Sequence, residues 1–581
     1  MKNFLLLFLA SFICAAFLRI RMNATIIKSE TAARDASSYR LRYGAGCSPN
    51  LASIDFGDPS NAIPLLGGWG NYRMPVTFKD DSAYIYFQQG INMYYGFHMI
   101  EALASFERAT SFDSAFAMGY WGKALAYGPN INDLGYAASP DALLAVQRAS
   151  ELCGACSPVE VALIGAMQLR YSPDTTQKRE YLNELYADAM KKVHTNFSAS
   201  ADAAALYADA LMVQHPWDLY DRSYNPKPWT PEIVRVLEGL IKTFPENPGA
   251  NHYYIHAIEG SKYPEKGLEV ANRLGNFMPG LAHLVHMPSH IYIRSGYYKK
   301  GVEVNEKAVE GYKEYLSKFP LVATGSFIYM MHNLHMKAAC AAMDGTYTKA
   351  IQFAEETRNS LDSSYLNSGG YFGMYSQFLH LTPLLTAVRF GKWNDLLNTA
   401  SFPNEWVYAR SMQHFGKGIA YARTNQLSKA FEELEHMKDS AQSAQLQDHP
   451  QAFNPGIASI EVAEKILQGV IAGEKKDFLK AIAFLRGAVE SEDGMLYNEP
   501  RDWQLPARQY LGHVLLQARR LKEAEAVYKR DLRINPNNRW SLTGLGKALQ
   551  MQGKQREAAT VALQLKKMSA VGDDKITDSV F

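Results

Sequence analysis

Hydrophobic residues recur along most of this chain at helical spacing, in paired segments that are joined by short turns. Several turns place an aromatic residue or leucine shortly before a small residue, as in Gly296–Gly301, Gly345–Ala350 and Arg520–Ala524. Apolar stripes with a period near 3.6 residues predict amphipathic helices, and a small residue lets two antiparallel helices approach closely. The pattern therefore predicts an all-α chain built from helix pairs.

The small residues repeat at a fixed distance. Gly267 and Gly301 lie 34 positions apart, and so do Ala524 and Ala558. These turns and this spacing resemble tetratricopeptide repeats. The resemblance implies a right-handed α-α superhelix, a TPR-like solenoid with a concave inner surface, covering roughly residues 80–570. Other copies follow at longer spacings, which makes the repeats irregular; they are centred on Ala102, Ala350, Ala430 and Ala481.

Proline, glycine and polar residues punctuate this pattern and indicate where segments begin and end. The stretch 438–455 is rich in Gln, Ser, Asp and Pro, so we predict a break between two helical lobes there. The predicted organisation is a signal peptide or N-terminal anchor at 1–22, a loop-rich segment at 23–79, a helical lobe with a histidine-rich groove at 80–437, a linker at 438–455, a second lobe at 456–571 and a tail at 572–581.

The N-terminus has a basic start at Lys2 and an apolar run from Phe4 to Phe17, followed by Arg19 and Arg21. This run is of signal-peptide length and is shorter than the roughly 20 apolar residues that a spanning helix needs. We therefore expect an exported protein, periplasmic or extracellular. An uncleaved anchor is the alternative, and any membrane contact is expected through this segment alone.

Composition narrows the range of partners. The formal net charge of +2 over 581 residues leaves no global field to attract nucleic acid, so we expect no nucleic-acid partner. Cys153 and Cys156 have the spacing of a redox or metal pair, but no strand-then-helix context surrounds them, and we interpret them as a local disulfide in a loop. The sequence has no Gly-rich phosphate loop, Gly-x-Ser-x-Gly elbow or His-Glu-x-x-His pair.

Histidines are concentrated in one part of the chain, where seven of the 15 fall between positions 252 and 335. His252 and His256 stand four residues apart, with Glu259 three further on, so these side chains lie near one face of a helix. Three more histidines follow within eight positions, and then a final pair; these are His283, His286, His290, His332 and His335.

The repeat register relates these histidines to one another. His256 and His290 each precede the small residue of their repeat by eleven positions, which makes them equivalent on adjacent first helices. His252 and His335 each precede theirs by fifteen positions, one helical turn away on the same face. We therefore expect these four side chains to point into one region of the groove. His513 shares the register of eleven without histidine neighbours, so register alone does not define a site.

Neutral imidazole is the usual nitrogen ligand of Zn, Cu, Fe or Ni, and two or three imidazoles with a carboxylate leave an open coordination position. The cofactor that we predict is a transition metal, with Zn, Cu and Fe as candidates. The alternative is that the histidines are hydrogen-bonded residues that line a polar groove. The candidate ligands are His252, His256, His283, His286, His290, His335 and Glu259.

The string from His283 to Tyr292 resembles one that exported bacterial tetratricopeptide proteins carry. That resemblance implies the fold and no settled activity. Two functions follow from the sequence. The first is a scaffold that binds a peptide or protein partner in its concave groove. The second is a metal-binding protein centred on the histidines, in which the metal could also support catalysis, and the fold alone does not decide between the two.

Overall fold

The structure is a computed structural model that describes residues 62–568 and 576–581, with gaps at 133–135, 137–138, 321–326, 369, 449 and 452–453. The predicted signal peptide or anchor at 1–22 lies outside the described residues, as do most of the segment 23–79 and part of the tail 572–581. Within that segment, residues 62–79 contain no helix.

The first half of the described chain is a succession of helices joined by short turns. Two single-turn 3₁₀ helices, Cys153–Ala155 and Pro264–Gly267, interrupt it. The α-helices are α1 Asp81–Tyr95, α2 Met99–Phe112, α3 Ala117–Ala126, α4 Pro140–Leu152, α5 Pro158–Gln168, α6 Arg179–Asn196, α7 Ala201–Gln214, α8 Thr230–Thr243, α9 Pro248–Glu259, α10 Leu268–Phe277, α11 Ala282–His286, α12 Pro288–Ser295 and α13 Tyr298–Lys318.

The second half continues in the same way, with one antiparallel pair of two-residue strands, β1 Pro450–Gln451 and β2 Asn454–Pro455. Its helices are α14 Phe327–Asp344, α15 Tyr347–Asn359, α16 Ser363–Leu366, α17 Gly370–His380, α18 Thr382–Arg389, α19 Trp393–Leu397, α20 Val407–Arg423, α21 Leu427–Ala441, α22 Ala444–Asp448, α23 Gly456–Glu474, α24 Phe478–Asp493, α25 Ala507–Gln517, α26 Leu521–Ile534, α27 Arg539–Met551 and α28 Gln555–Met568.

Side-chain caps fix where several helices begin. The carboxylate of Asp80 accepts a hydrogen bond from the backbone N–H of Ala83 at the start of α1. The amide oxygen of Asn247 does the same for Ala250 in α9, where Pro248 occupies the first turn. Such caps satisfy N–H groups that have no partner within the helix, and proline is favoured at that position because its missing N–H costs nothing there.

Small residues permit the close approach of paired helices, as the sequence predicts. A Cβ atom at Gly301 would lie 2.6 Å from Sγ of Cys340 on the paired helix α14. A Cβ atom at Gly267 would lie 2.9 Å from Cδ1 of both Ile258 and Ile291. Distances below 3 Å leave no room for a methyl group, so these contacts require glycine.

Buried side chains form two large apolar clusters and one small one. The first cluster runs from Ile63 to Phe319 and the second from Met331 to Val580. The segment 438–455, predicted to be a linker, carries helix α22 and the β1–β2 pair, and the second cluster includes helices on both sides of it. The helices that flank this segment, α21 and α23, contact each other.

The described chain is an all-α superhelical repeat fold, which confirms the predicted class. No helix among the described residues is both long and apolar enough to cross a membrane. The prediction of a disulfide between Cys153 and Cys156 is wrong, because both residues are free thiols. The thiol of Cys153 instead donates to the carbonyl oxygen of Ser150 at 3.1 Å.

Candidate metal centre

Three helices of the first half position five of the histidines. Helix α9 carries two of them one turn apart, and the Asn247 cap fixes where that helix begins. Helix α11 is only five residues long and ends at His286, and Pro288 opens α12 two positions later. Because proline lacks an N–H and restricts the residue before it, it separates two short helices here.

His252, His256 and His283 form one group, which we name the first histidine cluster. One ring nitrogen from each lies within 4.8 Å of the corresponding nitrogen of the other two. All three side chains are buried, with 0%, 4% and 3% of their surface exposed. Metal–nitrogen distances near 2 Å place tetrahedral ligands about 3.3 Å apart, so an ion would require each ring to move by about 1 Å or less.

Hydrogen bonds orient the rings of the first histidine cluster. Nδ1 of His252 donates to the carbonyl oxygen of Tyr95 at 2.6 Å, and Nδ1 of His256 donates to Oε1 of Glu259 at 2.9 Å. In each ring the proton is therefore on Nδ1, and Nε2 keeps its lone pair. In a metal-binding histidine, the ring nitrogen that does not face the metal normally donates its N–H to an acceptor, and this hydrogen bond fixes the tautomer in the same way.

The inward nitrogens of this cluster have no other partner. Nε2 of His252, Nε2 of His256 and both ring nitrogens of His283 are buried without a hydrogen bond. A buried polar group left unpaired costs about 1–3 kcal/mol. Nδ1 of His335 is unpaired as well, so a single such atom decides little. The first cluster differs because its unpaired nitrogens converge.

His286, His290 and His332 form a neighbouring group, which we name the second histidine cluster. One ring nitrogen from each again lies within 4.8 Å of the others. Nδ1 of His286 is 2.6 Å from Oδ1 of Asn305, and Nε2 of His286 is 2.7 Å from Nε2 of His290. Helix α14 supplies His332, whose ring is 4.8 Å from that of His286.

Glu259 connects the two clusters through its two carboxylate oxygens. Oε1 accepts from His256 in the first cluster, and Oε2 accepts from Nδ1 of His290 in the second at 2.6 Å. Glu499, which lies between α24 and α25, approaches the same Nδ1 of His290 at 2.7 Å. The hydroxyl of Tyr497 donates to Glu499 at 2.9 Å. Carboxylates that hold ligand imidazoles in this way raise their basicity and fix their orientation.

Burial keeps most of these imidazoles neutral. It holds the pKa values of His252, His283 and His286 well below the ordinary value of a histidine. Burial, with the nearby charge of His290, lowers the pKa values of His256 and His332 to about 3. Because the neutral ring is the form that binds a metal, five of the six imidazoles are in that form at neutral pH.

His290 differs from the other five. Burial alone would lower its pKa, but Glu499 and Glu259 outweigh that effect and raise the pKa to about 10. Burial and the charge of Glu259 raise the pKa of Glu499 to about 7. Without a metal, His290 is therefore an imidazolium that donates from Nε2 to His286, and a metal ion would replace that proton.

Of the seven sequence-predicted ligands, His335 lies outside both clusters. Its Nε2 faces the side-chain amide of Gln504 at 2.6 Å, and its ring packs on Phe378. The register argument selected His335, but His332, one turn earlier in α14, faces His286 and His290. Residues three apart on a helix lie on adjacent parts of its surface, so only the packing of α14 decides which one meets the cluster.

The histidines that were expected to point into one region of the groove divide between two adjacent clusters, which are largely buried. The side chain of Arg294 donates to the carbonyl oxygens of Glu259 and Ser261 at 2.9 and 3.0 Å. Lys262 binds Oδ1 of Asn225 in an exposed pair. Both side chains thus stabilise the surrounding fold.

Phe97 is a residue of this site that the sequence did not indicate. It lies between α1 and α2 with a φ of 58°, an uncommon value for a bulky residue. Its ring packs on the first histidine cluster, with centroids 4.4 Å from His252 and 5.8 Å from both His256 and His283. Unusual backbone conformations of this kind are concentrated at functional sites. An aromatic ring at this position shields one side of the cluster from water.

A cavity lies beside the second histidine cluster. Glu499 and Gln504 belong to its wall, together with Arg389 and Arg501. Glu499 contacts His290, and Gln504 contacts His335. The cavity therefore reaches the residues that orient the second cluster.

Comparison with known proteins gives matches among solved structures alone. No family model matches the sequence, and no curated protein matches it. Among solved structures, the chain is similar to the human IFIT1 dimer with m7Gppp-AAAA, at 14% identity and a TM-score of 0.28, covering 85% of this chain and 92% of that one. It is also similar to yeast Tom70, at 12% identity and a TM-score of 0.28, covering 85% and 93%. The APC/C hetero-tetramer Cut9-Hcn1 matches at 11% identity and a TM-score of 0.28, covering 85% and 95%.

Proposed function

We propose that this protein binds a transition-metal ion between His252, His256 and His283. The observation that supports the proposal most strongly is the convergence of buried, unpaired ring nitrogens within 4.8 Å of one another. A hydrogen-bonded groove lining would leave no such set, because each buried nitrogen would have its own partner. An ion replaces several unfavourable buried lone pairs with coordinate bonds.

The donor set favours metals that prefer nitrogen. Imidazole suits Zn, Cu, Fe and Ni, whereas Mg, Ca and Mn prefer oxygen ligands, so Zn, Cu and Fe are the metals to test. Three nitrogens leave a fourth coordination position for water or a substrate. A bound ion would then supply Lewis acidity or a water of lowered pKa. The chain's own contribution is the fixed tautomer of His252 and His256 and the apolar cover from Phe97.

Elemental analysis of protein purified without a histidine tag tests the proposal. We expect at least one equivalent of a transition metal, either as purified or after reconstitution with Zn, Cu or Fe. His256→Ala and His283→Ala should each bind one equivalent less than the wild type while keeping its circular dichroism. His335→Ala is the matched control, since His335 is buried and lies outside both clusters, and it should keep the metal.

Folded wild-type protein that takes up none of the three metals would contradict the proposal. The remaining function would then be the one that the fold itself supports, a helical repeat protein that binds a peptide or protein on its concave surface. That partner stays a prediction, and the histidine clusters do not require it.

We also propose that the protein is exported, on the basis of the basic start and the apolar run from Phe4 to Phe17. A fusion of residues 1–30 to a reporter that is active only outside the cytoplasm should be active. Leu9→Asp, which puts a charge into the apolar run, should abolish that activity. A reporter that stays inactive with the native segment would contradict export.

A further inference from the structure

The second histidine cluster has the same organisation as the first. Two of its rings, those of His286 and His290, have acceptors on Nδ1, and their Nε2 atoms point toward each other. The amide of Asn305 fixes the first of these rings, because Nδ2 of Asn305 donates to the carbonyl oxygen of Gly301 at 2.7 Å. Oδ1 of Asn305 must then face His286, and Nδ1 of His286 must be its donor. Nε2 of His286 consequently keeps a lone pair.

The same reasoning applies to His290. Its Nδ1 is surrounded by two carboxylates, Glu259 at 2.6 Å and Glu499 at 2.7 Å, and so carries a proton. Its Nε2 lies 2.7 Å from Nε2 of His286. Two nitrogens that face each other at this distance need a cation between them, because their lone pairs would otherwise repel. A proton fulfils this need in the free protein, and a metal ion can do so as well.

His332 completes the second cluster. Its ring is 4.8 Å from that of His286 and 5.6 Å from that of His290, and it lies on α14, a different helix from the other two. The cluster therefore has three imidazoles from α11, α12 and α14. Three nitrogen ligands are the number that a metal site with an open position uses.

The two clusters are as close to each other as the rings within each one. Ring centroids are 5.8 Å apart between His256 and His290, and 5.9 Å apart between His283 and His286. Within the clusters the ring separations run from 4.6 Å to 6.3 Å. Glu259 holds one imidazole of each cluster with a different oxygen. Ions in both clusters would thus be neighbours, as in two-metal sites, where the ions lie about 3.5–4 Å apart.

We infer that the second histidine cluster binds a second metal ion, and that the two ions form a binuclear centre of six imidazoles joined through Glu259. This inference rests on the proposed function, since it adds an ion to the same centre. A set of six nitrogens with no thiolate favours copper, which has the highest affinity among divalent first-row metals for such ligands. Three imidazoles would leave each ion an open coordination position, where a small ligand could bind.

Copper loading tests the inference. Another group, His414, Glu433 and His436, offers ligand atoms within 4.8 Å near the surface, so all proteins carry His436→Ala to remove it. Apoprotein is incubated with excess Cu(II), unbound copper is removed, and bound copper is measured by elemental analysis and electron paramagnetic resonance. We expect two equivalents whose integrated resonance accounts for less than the total copper, because neighbouring Cu(II) spins couple.

Variants assign the two equivalents. His332→Ala should bind one equivalent and give the full resonance of an isolated Cu(II), and His283→Ala should likewise fall to one. His335→Ala, the control on the same helix as His332, should keep two coupled equivalents. Circular dichroism verifies that each variant is folded, and Asn305→Ala, which frees the His286 ring without removing a ligand, provides a second test of the cluster.

Each outcome separates the two proposals. One equivalent in the parent protein overturns the binuclear centre and leaves the proposed function standing. No copper, zinc or iron in the folded parent overturns both. Two equivalents with a full, uncoupled resonance, or two equivalents that remain in His332→Ala, also overturn the binuclear centre, because the second ion would then lie elsewhere.

Discussion

Glu259→Gln is the substitution that tests the architecture of the centre most fully. The buried carboxylate accepts hydrogen bonds from His256 and His290 with its two oxygens, at 2.9 and 2.6 Å. Glutamine has nearly the same shape but only one accepting oxygen, and its NH₂ group can only donate. The amide oxygen can then accept from only one of the two imidazoles. The other loses its acceptor at position 259, and in the case of His290 only Glu499 remains to orient the ring.

The expected magnitude follows from that lost acceptor. Removing an outer partner of a ligand histidine typically weakens metal affinity by about 10–100-fold, which corresponds to about 1.4–2.7 kcal/mol. Because glutamine keeps one accepting oxygen, the loss should appear in the cluster that its NH₂ group faces, so the affinity of each site is measured. Competition with a chromogenic chelator of known affinity measures the change directly.

Glu433→Gln is the matched control for this experiment. Glu433 accepts from Nδ1 of His414 at 2.6 Å, which is the same kind of carboxylate–histidine pair, outside both histidine clusters. All proteins carry His436→Ala, which removes the surface metal group that includes Glu433. Affinity of the tight site should stay unchanged in this variant. If Glu259→Gln binds metal within twofold of the wild type, the carboxylate does not orient metal ligands, and the reasoning above is wrong.

Three further predictions concern stability. Bound metal should raise the free energy of unfolding by about 4 kcal/mol when the free metal concentration is 1,000 times Kd. The effect is measured as a higher Tm that a chelator reverses, and an unchanged Tm would contradict binding to the folded state. Gly544→Ala should lower the free energy of unfolding by about 1–3 kcal/mol in a denaturant titration, because its Cβ would overlap the ring of Tyr528. Gly546→Ala is the control and should cost nothing, because a Cβ there would lie 3.6 Å from its nearest neighbour, Val561. Equal effects of the two substitutions would refute this reasoning. Burial lowers the pKa of His335 to about 3, so the unfolded chain binds a proton that the folded protein does not between pH 6.5 and 3. The free energy of unfolding therefore decreases as the pH is lowered through that window. In metal-free protein between pH 6 and 4.5, His335→Gln should reduce the dependence of this free energy on pH by about 1.4 kcal/mol per pH unit. An unchanged dependence would contradict the prediction.

Local sequence patterns predict the helices of the fold because a helix forms between residues that are close in sequence. The small residues Gly267 and Gly301 mark real close approaches between helices, since a Cβ at either position would meet a neighbouring side chain at less than 3 Å. The spacing of His252 and His256 places both on one face of α9, and the structure keeps them together. A helical period depends on neighbours in sequence, so one chain is enough to reveal it.

Contacts between distant segments are what the sequence does not reveal. Glu499 meets His290 across more than 200 residues, and the carbonyl oxygen of Tyr95 orients His252 from a different helix pair. The choice of His332 over His335 depends on how α14 packs. The linker predicted at 438–455 has the composition of a loop, while the burial of the helices around it depends on tertiary packing.

Anomalous diffraction from crystals of metal-loaded protein is the most direct test of the central claim. The account predicts an anomalous peak about 2 Å from ring nitrogens of His252, His256 and His283 at the absorption edge of the bound metal. Loaded crystals that show these three side chains clearly and no peak between them, with metal bound only at other positions, would contradict it.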